Sequence, residues 1–340
     1  ASEGSIITLS KGEYHGNIVI NKALVIDGID KKAKIIGDGK GSVISIKKSN
    51  VVIKNLSIEN SGFSVEKIDS AIHAKEVNNI TIENNHISDS LFGINFEQVN
   101  RSKIVDNFIT SKDLELGIRG DGIRLWNSHD NQLFANRLYK SRDFVLWYSS
   151  GNNIENNYGS YNRYSLHFMY AGRNMVRNNF FEYNSVGIFF MYSSGTIAIG
   201  NTVKNSLGAF GVGIGMKDSS DFTLLENNLI YNPRGLYLDQ SPYHPRTVNV
   251  FERNNILYNS SGVQFQVSRE RSIFKENVIK GNIEPVVSDT PRNNLDINDW
   301  SGNYWDMYEG FDKNGDGYGD IPYKHYVYAD KLWLYNPNVK

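Results

Sequence analysis

Short apolar and β-branched runs such as "VVI" (51–53), "ITI" (80–82) and "GIFF" (187–190) recur along the whole chain, separated by polar corners. Their length and β-branched content suit short strands, whose successive side chains alternate between two faces. That pattern predicts short strands rather than amphipathic helices. An asparagine closes most runs: Asn85 in "TIENNHI", Asn107 in "IVDNFI", Asn136 in "LFANRL", Asn157 in "IENNYG", Asn179 in "MVRNNFF", Asn201 in "AIGNTV", Asn228 in "LLENNLI", Asn255 in "FERNNIL" and Asn277 in "FKENVI", with Asn55 in "VIKNLSI" as an earlier rung. The successive spacings from Asn85 are 22, 29, 21, 22, 22, 27, 27 and 22.

A base period of about 22, lengthened in places by five to seven residues, predicts an all-β, right-handed parallel β-helix with three strands per coil. Each strand then stacks on its equivalent one coil away at about 4.8 Å, and ten rungs give a rod of roughly 50–60 Å. Asparagine suits the corners. It tolerates left-handed backbone, and its side-chain amide can bond along the axis. The longer spacings predict loops at 111–122, 204–213 and 239–248, where function concentrates more often than in coils. Residues 1–298 are assigned to the β-helix, with 1–50 as its first coils and N-terminal cap. At 299 the composition turns to Trp, Tyr, Asp and Gly, and 299–340 is assigned to a C-terminal cap.

Aligning the coils separates inward from outward columns. In "GIRLW", "DFVLW", "SLHFM", "GIFFM" and "GVGIGM" one column reads Trp126, Trp147, Met169, Met191, Met216, although the chain holds only five methionines. Two residues earlier runs Arg124, Val145, His167, Phe189, Ile214; one residue later runs Asn127, Tyr148, Tyr170, Tyr192, Lys217. A slip of one residue would turn every side chain around and make the methionines core filler. The core would then have to accept His167 and Arg124, and buried unpaired charge is costly. The outward register therefore predicts a docking face of Arg124, Trp126, Trp147, Tyr148, Tyr170 and Tyr192. Thioethers and an imidazole gathered without cysteine are a Cu(I) donor set, so His167, Met169, Met191 and Met216 are the candidate copper ligands. His129 and His244 are second-rank candidates.

Composition narrows the partners. The net charge is −1, without the basic excess nucleic-acid binding needs. No apolar stretch is long enough for a membrane helix, and the start "ASEGSIITL" lacks a basic-then-apolar leader: either a signal peptide has been removed, as a periplasmic chain would require, or none existed. With no cysteine, disulfides and thiolate metal sites are excluded. In the tail, "FDKNGDGYGDIPY" (311–323) places Asp312, Asn314 and Asp316 at alternate positions, Gly317 at the turn, then the Tyr318 carbonyl and Asp320. This is the oxygen pattern of a Ca²⁺ loop, broken where Tyr323 replaces a bidentate glutamate.

The phrases "GDGIRLWNS" (120–128), "SRDFVLWYSSGNNI" (141–154), "NRYSLHFMYAGRN" (162–174), "VGIFFMYSS" (186–194) and "GNYWDMYEGFDKNGDGYGDIPY" (302–323) resemble the NosD family of nitrous-oxide reductase maturation proteins. The likeness runs through 120–323; Asn127 stands where that family commonly has tyrosine. It implies a periplasmic, non-catalytic subunit of a membrane ABC transporter. Such a subunit receives copper, as Cu(I), from a lipoprotein chaperone and helps load apo nitrous-oxide reductase, whose active site is a copper–sulfur cluster. Two other readings stand beside it. One is a polysaccharide-binding or polysaccharide-cleaving β-helix using Arg119, Asp121 and Arg124 beside the tryptophans. The other is a passive adhesin.

Overall fold

The computed structural model describes residues 1–267, 269–288 and 295–325. It is a parallel β-solenoid of three long sheets, of 12, 13 and 12 strands. Each sheet takes every third strand in chain order, as a coil of three short strands requires, except that Tyr304–Trp305 joins the end of the second sheet two strands after Val278–Lys280. Every strand pairing is parallel. No α-helix occurs among the described residues; two 3₁₀ turns, Ile29–Lys31 and Leu295–Ile297, are the only helical pieces there.

The core is one continuous column of Ile, Val, Leu and Phe running the length of the rod. Its aromatic members stack coil on coil, Phe168 on Phe190 at 4.9 Å and Phe251 on Phe274 at 4.6 Å. The far end continues that stack through Trp300, Trp305 and Tyr323. These tail residues close the C-terminal end of the core with rings. The cap assigned to 299–340 is described as far as residue 325, and 326–340 lie outside the described residues.

The asparagines build a buried ladder at the corner between the first and second sheets. Oδ1 of each accepts the backbone N–H of its equivalent one coil earlier, through Asn85, Asn107, Asn136, Asn157, Asn179 and Asn201 to Asn227, Asn254, Asn277 and Asn303. Asn228 and Asn255, expected as rungs, lie one residue beyond it on strands Asn228–Ile230 and Asn255–Leu257. Asn55 also stands off the ladder, in the left-handed position that Asn84 occupies one coil later. The corner thus divides two jobs between neighbours. The residue before each rung takes the positive φ (Asn84, Asp106, Ala135, Asn156, Asn178), and the rung spends its amide on the axis. Two further corners carry shorter ladders of the same kind, Asn131–Asn152–Asn174 and Asn232–Asn259–Asn282.

The inserted segments leave the rod at corners. Residues 112–122 and 205–211 both precede strands of the third sheet, Ile123–Trp126 and Val212–Lys217, and 240–248 follows Arg234–Asp239. They display exposed apolar residues at Ile118 and Phe210.

Candidate functional site: an imidazole and two thioethers on the third sheet

Pairing in the third sheet settles which side chains face out. Trp126, Trp147, Met169, Met191 and Lys217 are in register, as are Arg124, Val145, His167, Phe189 and Gly215. Between these columns Leu125, Leu146, Phe168, Phe190 and Met216 point into the core. The outward placement of Trp126, Trp147, Met169 and Met191 agrees with the predicted column. Met216 does not belong to it. It is fully buried opposite Phe190, and Asn249 Nδ2 approaches its sulfur from the core side. Strand Val212–Lys217 aligns on its Val-Gly-Ile start with Val186–Met191, which moves every later position by one. Gly215 therefore takes the place expected for Ile214, Lys217 that of Met216, and Asp218 the corner expected for Lys217.

His167 is the centre of the face. Its Nε2 lies 3.3 Å from Met191 Sδ. Its ring stacks on Tyr164 at 4.6 Å and 18°. Its Nδ1 faces Asp143 Oδ2 at 3.6 Å, and no hydrogen bond closes on that nitrogen although the side chain is only 9% exposed. Met169 is the next rung before Met191 on the adjacent strand, about one 4.8 Å step away. The Trp147 indole N–H, one rung earlier, is also buried without a partner. Phe189, one coil beyond His167, lies over Gly215 so closely that a Cβ there would meet its ring at 2.3 Å. Glycine at 215 lets the ring lie flat there.

Charge is fixed behind this apolar surface. Asp143 is buried, and burial alone would raise its carboxyl. The His167 and Arg163 contacts outweigh that and hold it below the usual carboxylate range. Asp121, one coil earlier and paired with Arg142 at 3.0 Å, is pushed up to about 6 by burial and by the Asp143 charge. Arg124 donates to Asn95 Oδ1 and lies over the Trp147 ring at 5.3 Å; burial lowers its pKa. The remaining docking residues form a corner ladder. Tyr148, Tyr170 and Tyr192 are exposed and stack at 5.2 and 4.9 Å. All three take positive φ, a conformation supported by backbone bonds such as Tyr148 N to Met169 O. Trp126 and Trp147 are half-buried.

Sequence reasoning missed Asp143, Arg163, Tyr164, Phe189 as a cover, and Gly215. A signal existed for the first two. Asp121 and Arg142 are 21 residues apart and Asp143 and Arg163 are 20 apart, close to one coil, so register alone sets them as cross-coil ion pairs. His129 is spent elsewhere: Nδ1 accepts from Ser150 N and Nε2 meets Asn127 Oδ1. His244 lies in the 240–248 segment against Tyr243.

Among the described residues no three His, Cys, Asp or Glu side chains gather at metal-binding distance. In the tail loop Asp312 accepts from Gly315, Asp316 and Gly317 N–H, Asn314 from Asp316, Asp316 from Tyr318, and Asp320 from Lys313. Those carboxylates are turned onto the loop's own backbone. The donors on the third sheet are of another kind, one imidazole with two thioethers in an apolar setting. That set fits a soft monovalent ion and not Zn²⁺ or Ca²⁺.

Residues 111–310, which hold this entire face, match the family described as periplasmic copper-binding protein (NosD). The chain belongs to the NosD family. That membership places it in the periplasm. A probable ABC transporter binding protein NosD from Pseudomonas aeruginosa is 29% identical over 350 residues, 98% of this chain and 80% of the relative. The protein of the same description from Stutzerimonas stutzeri is 36% identical over 93 residues, 27% of this chain and 21% of the relative. The fold is similar to the A-module of the Azotobacter vinelandii mannuronan C-5 epimerase AlgE6 (TM-score 0.68, 14% identity, 88% of this chain and 90% of that one). It is also similar to the periplasmic alginate epimerase AlgG (TM-score 0.59, 15% identity, 89% and 83%). At those identities the likeness concerns the β-helix alone. No helix among the described residues is long and apolar enough to cross a membrane.

Proposed function

We propose that this NosD-family chain is the periplasmic, non-catalytic subunit of an ABC-transporter system that takes Cu(I) as cargo on the third sheet. In this reading it receives copper from a lipoprotein chaperone and docks apo nitrous-oxide reductase while its copper–sulfur site is assembled. The observation that carries the reading is the His167 Nε2–Met191 Sδ contact of 3.3 Å with Met169 one rung away. The family's description and the transporter-binding names of its relatives support the cargo and the transporter. His167, Met169 and Met191 hold the ion. Arg124, the two tryptophans and the tyrosine corner offer the surrounding contact surface.

Polysaccharide cleavage finds little support at the same face. A glycosidase needs two carboxylates facing a groove, whereas Asp121 and Asp143 are buried and each is paired with an arginine. Competition against a chromophoric Cu(I) chelator tests the copper reading. The double variant Met169→Leu/Met191→Leu is expected to lose at least about tenfold in affinity, or about 1.4 kcal/mol. Unchanged affinity would remove the methionines as ligands. The tail loop is proposed as a separate Ca²⁺ site of Asp312, Asn314, Asp316, Tyr318 and Asp320; calorimetric Ca²⁺ titration of the wild type and Asp312→Ala decides it, and identical traces would discard it.

A further inference from the structure

His167 has two ring nitrogens in two unlike environments. Nε2 faces the thioether of Met191 at 3.3 Å, and Nδ1 faces the Asp143 carboxylate at 3.6 Å, a charge contact just beyond hydrogen-bond length. A neutral imidazole carries one proton, and the nitrogen that keeps it is set by the better acceptor nearby. A carboxylate is a strong acceptor and a thioether a weak one. The ring cannot turn freely to choose otherwise, because it is buried and stacked on Tyr164.

The carboxylate is placed just as firmly. The pairing between strands Asp143–Trp147 and Tyr164–Met169 shifts register between Asp143 and Val145. That irregularity brings Asp143 opposite Tyr164 and alongside the imidazole of the next coil. Arg163 Nε donates to Asp143 Oδ1 at 2.9 Å, and the Tyr164 backbone N–H approaches the same oxygen at 3.3 Å. Oδ2, the atom turned to His167, is shared with the second arm of the Arg163 guanidinium.

We propose that Asp143 is a positioning residue: it keeps the His167 proton on Nδ1, so that the Nε2 lone pair is presented beside the Met169 and Met191 sulfurs to a soft monovalent cation. The inference rests on the copper-handling reading above and deepens it. Metal-bound histidines commonly owe their tautomer and ring orientation to such a carboxylate, and its removal costs about 10–100-fold in metal affinity. Asp143 meets Arg163, the Tyr164 N–H and His167, so its route to the ion is through His167.

The experiment uses the whole chain labelled with ¹⁵N-histidine, with Cu(I) and, separately, Ag(I) as probes. In the metal-free wild type the His167 nitrogens are expected to report the Nδ1–H form. Asp143→Asn is expected to lose that signature and to weaken Cu(I) binding about 10–100-fold. Arg163→Gln removes the ion pair but leaves the carboxylate facing His167. It is expected to keep the tautomer and most of the affinity, which a merely structural role for Asp143 would not allow. Asp143→Glu, which restores a carboxylate, is expected to recover the signature at least in part, and it serves as the readable variant if Asp143→Asn does not fold. If His167→Ala abolishes binding while Asp143→Asn changes neither tautomer nor affinity, the positioning role is wrong and the copper site stands. If His167→Ala binds Cu(I) and Ag(I) as the wild type does, the copper site itself is wrong and the inference goes with it.

Discussion

Two imidazoles stand in one outward column of the third sheet, His73 and His167, separated in register by Asn95, Arg124 and Val145. Each lies against a carboxylate at nearly the same distance, His73 at 3.5 Å from Glu97 and His167 at 3.6 Å from Asp143. What differs is the nitrogen that meets the acid. His73 turns Nε2 to Glu97, and that carboxylate is also met by Asn95 and Lys75. The result is a closed polar cluster at the charged end of the face. His167 turns Nδ1 to Asp143 and so leaves Nε2 for sulfur. Adjacent rungs are Lys75, Glu97 and Trp126 in the first case, Trp147, Met169 and Met191 in the second. The same column therefore holds an electrostatic clasp at one end and an imidazole beside two thioethers at the other. A histidine beside an acid does not by itself suggest a ligand; which of its nitrogens the acid takes distinguishes these two.

The comparison breaks most directly by removing each ring. His167→Ala is expected to weaken Cu(I) binding at least about 100-fold, roughly 2.7 kcal/mol, and His73→Ala to leave it within about twofold. Equal losses in a chelator competition would mean that charge along the whole column governs binding.

The clasp is sharpened by pH. His73 first, then Asn95 and Lys75, hold Glu97 down at about 2 against burial. A carboxyl lowered on folding contributes stability above its unfolded value and loses it as the pH falls toward 2. Glu97→Gln is thus expected to cost about 2–3 kcal/mol in urea unfolding at pH 7 and progressively less below pH 4.5. Asp121 has the opposite sign. Raised to about 6, it makes the fold less stable as the pH climbs from about 4 to about 6. A Glu97→Gln cost independent of pH would rule out the clasp.

The smallest change tests the cover of the soft site. In Gly215→Ala the new Cβ displaces the Phe189 ring, at a cost of about 1–3 kcal/mol, and Cu(I) affinity is expected to fall only a few-fold. A melting temperature equal to wild type would show that the ring had room to spare.

Much of this was legible in the chain. The coil length could be read because the buried amide corner is chemically demanding and asparagine answers it repeatedly. The outward columns could be read because Arg124 and His167 fit poorly in an apolar core. The errors share one cause. In "LLENNLI" and "FERNNIL" either asparagine satisfies the pattern, and only the backbone shows that Asn227 and Asn254 carry the rung. In "VGIGMK" the methionine attracts the alignment, while pairing follows the strand start and buries Met216. Runs of equivalent residues leave register open by one, and one is enough to exchange inside for outside. The approach of Asp143 to His167 was harder still, because it depends on a register irregularity between Asp143 and Val145 that no pattern of polarity announces.

The ladder through Asn157, Asn179 and Asn201 offers each coil along it the same pair of joints. A coil is therefore interchangeable hardware. Cutting out the one between Asn157 and Asn179 would set the rung before it directly against the rung after it, with the amide chain healed across the seam. Chemistry borne by a single coil can in this way be added, duplicated or lost as a unit while the rod that carries it persists.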